Sequence, residues 1–190
     1  MKPPAIATIV EGQGEVGAVP RLLRKVLELR TVHLPTPIRV KRYDVVRPSR
    51  LEHYARIAAA TIAERGTPGA ILVILDSDDD CPAGIGCDLA ERLSSEVGHL
   101  PSAVVLAKRM YEAWLIGGGA IKGIANENAE SMTNPKQKIR DLIGRYVETT
   151  DQASLTDAIR VGVARSACPS FDKLCRDVDR LYQAIATNAP

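Results

Sequence analysis

Aromatic residues are scarce in this sequence: one Phe, one Trp and five Tyr among 190 positions. Platforms on which unpaired bases could stack are correspondingly few. No apolar run approaches the roughly 20 residues that span a bilayer, so a soluble chain with no membrane partner is expected. Neither sign of charge is in excess. The 25 basic and 23 acidic residues leave +2, so no overall field drives nucleic-acid binding, which must rest on a local patch. The four cysteines, Cys81, Cys87, Cys168 and Cys175, come without a secretory leader, since Met1 to Val10 holds one Lys and a short apolar run with no cleavage site. A cytoplasmic protein with reduced thiols is the expectation. Neither cysteine pair has the close spacing of a zinc knuckle, and buried thiols acting as small hydrophobes are the expectation. His33, His53 and His99 are scattered without ligand spacing. No nucleophile elbow, P-loop, internal repeat or low-complexity tract is present.

What is present centres on Ala70 to Asp80, AILVILDSDDD. Six apolar residues run into a cluster of carboxylates, the pattern of a buried parallel strand that ends at an acidic site. If the extended conformation persists past Leu75, Asp76 and Asp78 leave one face of the chain and converge on one ion. Close carboxylates repel unless a cation or proton sits between them, and hard oxygen donors suit Mg²⁺ or Mn²⁺. The alternative is a solvated turn in which Asp79 and Asp80 cap the following helix.

Along the chain, Ala5 to Val10 reads as a first buried strand running into Glu11. Val16, Val19, Leu22, Leu23, Val26, Leu27 and Leu29 follow helical spacing, with Pro20 opening or kinking that helix. Ile38 to Val46 reads as a more polar second strand, and Leu51 to Arg65 as a helix stopped by Gly66. After the central strand, CPAGIGC reads as a loop and Asp88 to Val97 as a short helix. Ser102 to Ala107 is a fourth strand ending at Lys108 and Arg109. Met110 to Ile116, Pro135 to Tyr146, Ser154 to Val163 and Ser170 to Ala186 then read as helices. The expected fold is α/β: a mainly parallel four-stranded sheet with helices on both faces and a C-terminal helical extension. One domain spans residues 1–190, with 1–109 as the α/β core and 110–190 packed on it. Ligands gather at the carboxyl ends of such strands, where Glu11, Asp76, Asp78 and Lys108 would lie.

Gly12, Gly14 and Gly17 form a literal GxGxxG after a strand, the dinucleotide fingerprint. Glu11 and Glu15, however, would bring negative charge toward a pyrophosphate that needs bare amide donors. The nearest ribose-binding acid, Asp44, stands 27 residues beyond Gly17, farther than the fingerprint expects. Glycines serving a tight strand-to-helix turn are the simpler reading.

The blocks IVEGQGE (Ile9 to Glu15), LDSDDD (Leu75 to Asp80), YEAWLI (Tyr111 to Ile116), NPK (Asn134 to Lys136) and CPSF (Cys168 to Phe171) lie in an order that resembles Toprim-like proteins, and within them the bacterial group DUF4276. That group usually carries Thr at the position of Gly14 and often Ser at that of Cys168; the first change is expected to loosen the loop. The resemblance implies a compact Toprim-like fold in which Glu11 is the general acid or base and Asp76 and Asp78 hold Mg²⁺. It implies phosphodiester chemistry of the kind carried out by topoisomerases, primases and nucleases of the overcoming-lysogenization-defect type. A nuclease acting on DNA in defence or repair, with an ATPase partner, is the corresponding expectation. Lys108 would act in catalysis and, with Arg109, Gly12 and Gly14, hold phosphate. Glu112 would add a ligand or hydrogen-bond one, or else be a surface helix acid. Arg39, Lys41, Arg42, Arg47 and Arg50 supply either a phosphate track or an ordinary solvated edge. The alternative to an enzyme is a regulatory or interaction subunit on the same fold.

Overall fold

In the computed structural model, residues 2–78, 82–124 and 127–187 are described, with Arg42, Pro82 and Ala83 described by backbone alone. Three long strands, β1 (Ala5–Val10), β3 (Gly69–Asp76) and β4 (Ser102–Ala107), are buried almost throughout. Both faces of the sheet are covered, which is why these strands read as continuous apolar runs. With the two-residue β2 (Ile38–Arg39), they form an all-parallel sheet in the order β2-β1-β3-β4. The expected α/β sheet with helices on both faces is what the chain forms.

Alternation along each strand divides the core. Ile6, Val10, Leu72, Ile74 and Val105 face a layer that contains α1 (Glu15–Leu27), α5 (Tyr111–Gly117) and α9 (Pro169–Thr187). Ile9, Ile71, Val73, Leu75 and Leu106 face α3 (Arg50–Arg65) and α4 (Pro82–Glu96). Helix α3 stops at Gly66, whose φ of +66° gives the left-handed cap expected of it. The connection from β1 through α1 leads outward to β2, whereas the next returns to the other side of β1. The direction of winding therefore reverses between β1 and β3, and the crevice of an open α/β sheet lies outside such a reversal at the carboxyl ends.

Several elements differ from the sequence reading for local reasons. The second strand ends at Arg39, and α2 (Arg42–Val45) follows. Extending it to Val46 would have put Arg42 and Asp44 on the same face as Val40, so neither face would have been apolar. Instead Val40 and Val45 are buried and the chain turns between them. Of the residues expected as the loop CPAGIGC, Pro82 to Cys87 belong to α4, which opens on Pro82, a favourable first helical residue, and Cys81 lies outside the described residues. Pro20 lies inside α1 rather than at its start, and Leu29 lies beyond that helix, fully exposed.

The helix expected over Ser154 to Val163 is two helices, α7 (Glu148–Asp157) and α8 (Val161–Ala167). The break is made by tertiary contact. The Arg160 N–H donates to the Gly118 carbonyl at 3.0 Å, and Ile159 packs so closely on Gly118 that a Cβ there would meet it at 2.8 Å. Helix α6 (Pro135–Ile143) starts at Asn134, whose side chain accepts the Gln137 N–H at 2.9 Å. Among the described residues no helix is long and apolar enough to cross a membrane.

Candidate functional site

The acidic residues of the carboxyl edge occupy two connected places. An open cleft of about 590 Å³ is walled by Glu11, Asp78, Asp88, Tyr43, Val46 and Ile85. Asp76 and Glu112 lie outside its walls, in the layer toward α1 and α5. Asp76 closes β3 in register with Ala70, Leu72 and Ile74, all of which face that layer. The extended conformation does not persist beyond it, because Asp78 has φ of +48°. The two aspartates are therefore not aligned by strand alternation. Their loop is tied to the one after β4: Ser77 N–H donates to Ala107 O and Asp78 N–H to Arg109 O, both at 2.9 Å, and Arg109 N–H donates to Ser77 Oγ at 3.0 Å. The proposed caps Asp79 and Asp80 lie outside the described residues.

Glu11 joins the two places. Its Oε2 accepts the Asp76 N–H at 3.4 Å, and its own N–H donates to Oε2 of Glu15 at 3.2 Å. Glu15 opens α1 but folds its carboxyl back and is buried. Burial pushes that carboxyl up to about 7 and the charges of Glu11 and Glu112 add to the shift, against the Gly12 and Glu11 N–H groups that bond to it.

Asp76 retains some exposed surface, yet the protein packed around its carboxyl makes desolvation the leading cause that holds it well above the usual range. Glu15, Glu112 and Glu11 raise it further, opposed by the Tyr111 N–H that donates to its Oδ1 at 2.8 Å.

Glu112 is buried, not a surface helix acid. Burial raises it, while Lys136, with Nζ 4.0 Å from its Oε1, and the Tyr146 hydroxyl, donating at 2.9 Å, work the other way. Desolvation pulls the Lys136 ammonium down, but Glu148 at 2.8 Å together with Glu112 and Asp76 outweighs it and holds the charge. Neither Glu15 nor Lys136 stood out as a site residue in the sequence. The signal available was their membership of the IVEGQGE and NPK blocks.

These blocks meet at α5. Tyr111 receives Asp76, and Glu112 receives Lys136 and Tyr146. Cys168 Sγ donates to Ala113 O at 3.7 Å, Trp114 Nε1 donates to Ser170 Oγ at 2.8 Å, and the Trp114 and Phe171 rings meet edge-on at 5.5 Å. Burying a ring such as Phe171 contributes about 1.5–3 kcal/mol, so the short α5 is held by its surroundings rather than by its own length. Burial raises the Cys168 thiol to about 12 and the Cys175 thiol to about 11, as expected of thiols that pack as hydrophobes.

Other candidates are placed elsewhere. Lys108 is exposed and lines a second groove with Ser170, Lys173 and Arg180, between α4 and α9, rather than the acidic cleft. Gly12 and Gly14 do not form a phosphate cradle. A Cβ on Gly14 would meet Gln152 Oε1 at 2.2 Å and the Glu148 carbonyl at 2.5 Å, so α7 occupies the approach a pyrophosphate would need. The amides of Glu11 and Gly12 serve Glu15 instead. The dinucleotide reading gains no support, and Gly14 is a packing contact rather than a loosened loop. Arg39, Lys41, Arg47 and Arg50 are all exposed near β2 and α2, and Arg50 stands 4.0 Å from Asp44.

The arrangement defines an α/β protein with an acidic crevice at the reversal point of a parallel sheet. Residues 10–179 match the family described as Domain of unknown function (DUF4276), and the chain belongs to it. No curated protein and no solved structure matches the chain.

Among the described residues no three His, Cys, Asp or Glu side chains are gathered to hold a metal ion. Mg²⁺ does not require three, since it keeps several waters and takes one or two carboxylates along with substrate phosphates. Glu11 and Asp78, two hard oxygen donors on the wall of one open cleft, fit that habit.

Proposed function

We propose that this chain is a Mg²⁺- or Mn²⁺-dependent phosphodiester enzyme of Toprim type, a cytoplasmic nuclease that acts on DNA in defence or repair together with an ATPase. The observation that carries this reading is the pairing of Glu11 with Asp78 in an open cleft at the β1/β3 reversal. A divalent ion bound there supplies charge neutralisation at the phosphoryl oxygens and a lowered pKa for water. Glu11 and Asp78 would hold it, with Asp76 and Glu112 behind them setting the field. Glu11 also exchanges the proton of the attacking or leaving oxygen, its carboxyl oriented by the Asp76 N–H. The exposed cations Arg39, Lys41, Arg47 and Arg50 supply phosphate contacts beside the cleft. The free thiols Cys87, Cys168 and Cys175 accord with a reducing compartment.

A second reading rests on the internal partners of the acids. Glu15, Asp76 and Glu112 are bonded to Glu11 N–H, Tyr111 N–H and Tyr146 OH, which suits a structural network in a non-catalytic subunit. Incubating the purified chain with labelled single- and double-stranded DNA and RNA in Mg²⁺ or Mn²⁺, alone and with the ATPase, separates the two. Cleavage lost in folded Glu11→Gln and Asp78→Asn supports the enzyme. Inactivity in every combination leaves the subunit.

A further inference from the structure

Of the seven Phe, Trp and Tyr rings, the fold leaves one in the open. Tyr111, Trp114, Tyr146 and Phe171 are buried, and Tyr54 and Tyr182 are half-buried, the latter beneath the Arg30 guanidinium. Tyr43 alone is exposed, at 58%. This ring stands on α2 and walls the acidic cleft beside Glu11 and Asp78. The Arg47 guanidinium lies over it, 3.9 Å from the ring centroid.

Packing does not require a ring here, because Val45 is the fully buried anchor of α2. The neighbouring Val46, 42% exposed, extends the apolar patch along the same wall. An exposed ring backed by a guanidinium, set among exposed cations and next to paired carboxylates, has the parts of a single-strand site: a π-face for a base and charges for its backbone. Bases inside a duplex are already stacked and must be unpaired and unstacked, at a cost, before one can lie on it.

We propose that Tyr43 is the stacking platform for one unpaired base, so that the cleft takes single-stranded nucleic acid in preference to duplex. This rests on reading the cleft as a phosphodiester site. Stacking tolerates any base, so selectivity falls on strandedness rather than sequence.

The test is fluorescence anisotropy of the full chain with labelled single-stranded and duplex oligonucleotides, using Ca²⁺ in place of Mg²⁺ to keep the strands intact. A single strand carrying 2-aminopurine reports stacking directly through quenching. Tyr43→Ala should weaken single-strand binding by roughly 5- to 100-fold and abolish quenching, while Tyr43→Phe stays within about twofold of wild type. Duplex binding and melting temperature should be the same in all three. Unchanged single-strand affinity and quenching in Tyr43→Ala overturn the stacking role, as does wild-type binding that is equally tight for duplex. Both results leave the phosphodiester reading standing. Failure of wild type to bind any strand overturns the two together.

Discussion

The Tyr146 hydroxyl donates to Oε1 of Glu112 at 2.9 Å inside the protein, and the same oxygen stands 4.0 Å from Lys136 Nζ. A carboxyl on α5 thus draws in the loop after α6, and the N-terminus of α6 with it. Tyr146→Phe keeps the ring but leaves the carboxylate short of a donor, at a cost of about 1–3 kcal/mol. Glu112 should then titrate still higher, because the lost bond favoured the charged form. The destabilisation should be larger near pH 8 than near pH 5, read from urea midpoints at the two values. An equal loss at both would show that the hydroxyl bonds a neutral carboxyl.

Glu15 gives the clearest pH dependence. Its carboxyl titrates at about 7 in the fold, above the model-peptide value of 4.5. A raised carboxyl favours the folded state fully below the unfolded value, and this advantage is lost as pH rises through 7. Glu15→Gln retains an oxygen for the Glu11 and Gly12 amides without the charge. The variant should gain up to about 3 kcal/mol over wild type at pH 8 and little at pH 4. Parallel stability curves for the two proteins would remove Glu15 as the source.

Gly14 is tested by volume. Gly14→Ala sets a methyl against Gln152 and the Glu148 carbonyl, which costs about 1–3 kcal/mol as overpacking. Gln152→Ala added to it should restore only part of the loss, because the second obstacle is backbone. Complete rescue in thermal denaturation would mean that the Gln152 side chain alone, and not the α7 backbone at Glu148, presses on this turn.

Residues whose role is set by strand alternation were legible in the sequence. Ala5–Val10, Gly69–Asp76 and Ser102–Ala107 are buried on both faces, and their carboxyl ends deliver Glu11, Asp76 and Lys108 to one edge as read. What the pattern could not carry was direction after the strand. Asp78 turns through a left-handed residue, and Lys108 lies along the groove beside α9. Tertiary contact also hid the break at Arg160, which looks helical until Gly118 is beside it. In the sequence Glu15 reads only as a charge unsuited to a pyrophosphate, whereas burial makes it a member of the network.

The ligand set of the proposed ion can be separated by calorimetry. Binding to the folded state alone raises stability by about 2.7 kcal/mol at 100 times Kd. For a chain this size that is a rise in melting temperature of roughly 5–10 °C. Glu11→Gln and Asp78→Asn should each abolish the rise if the cleft wall holds Mg²⁺. Asp76→Asn is the informative variant, because its Oδ1 can still accept the Tyr111 N–H while the charge facing Glu15, Glu112 and Glu11 is gone. Without metal it should be at least as stable as wild type at neutral pH, since it removes repulsion and the cost of burying a charge. A Mg²⁺ response kept in Asp76→Asn but lost in Asp78→Asn assigns the ion to the cleft wall, and one lost in both assigns it to a set shared across Glu11. Equal responses in wild type and all three variants would place Mg²⁺ elsewhere and sink the proposed site.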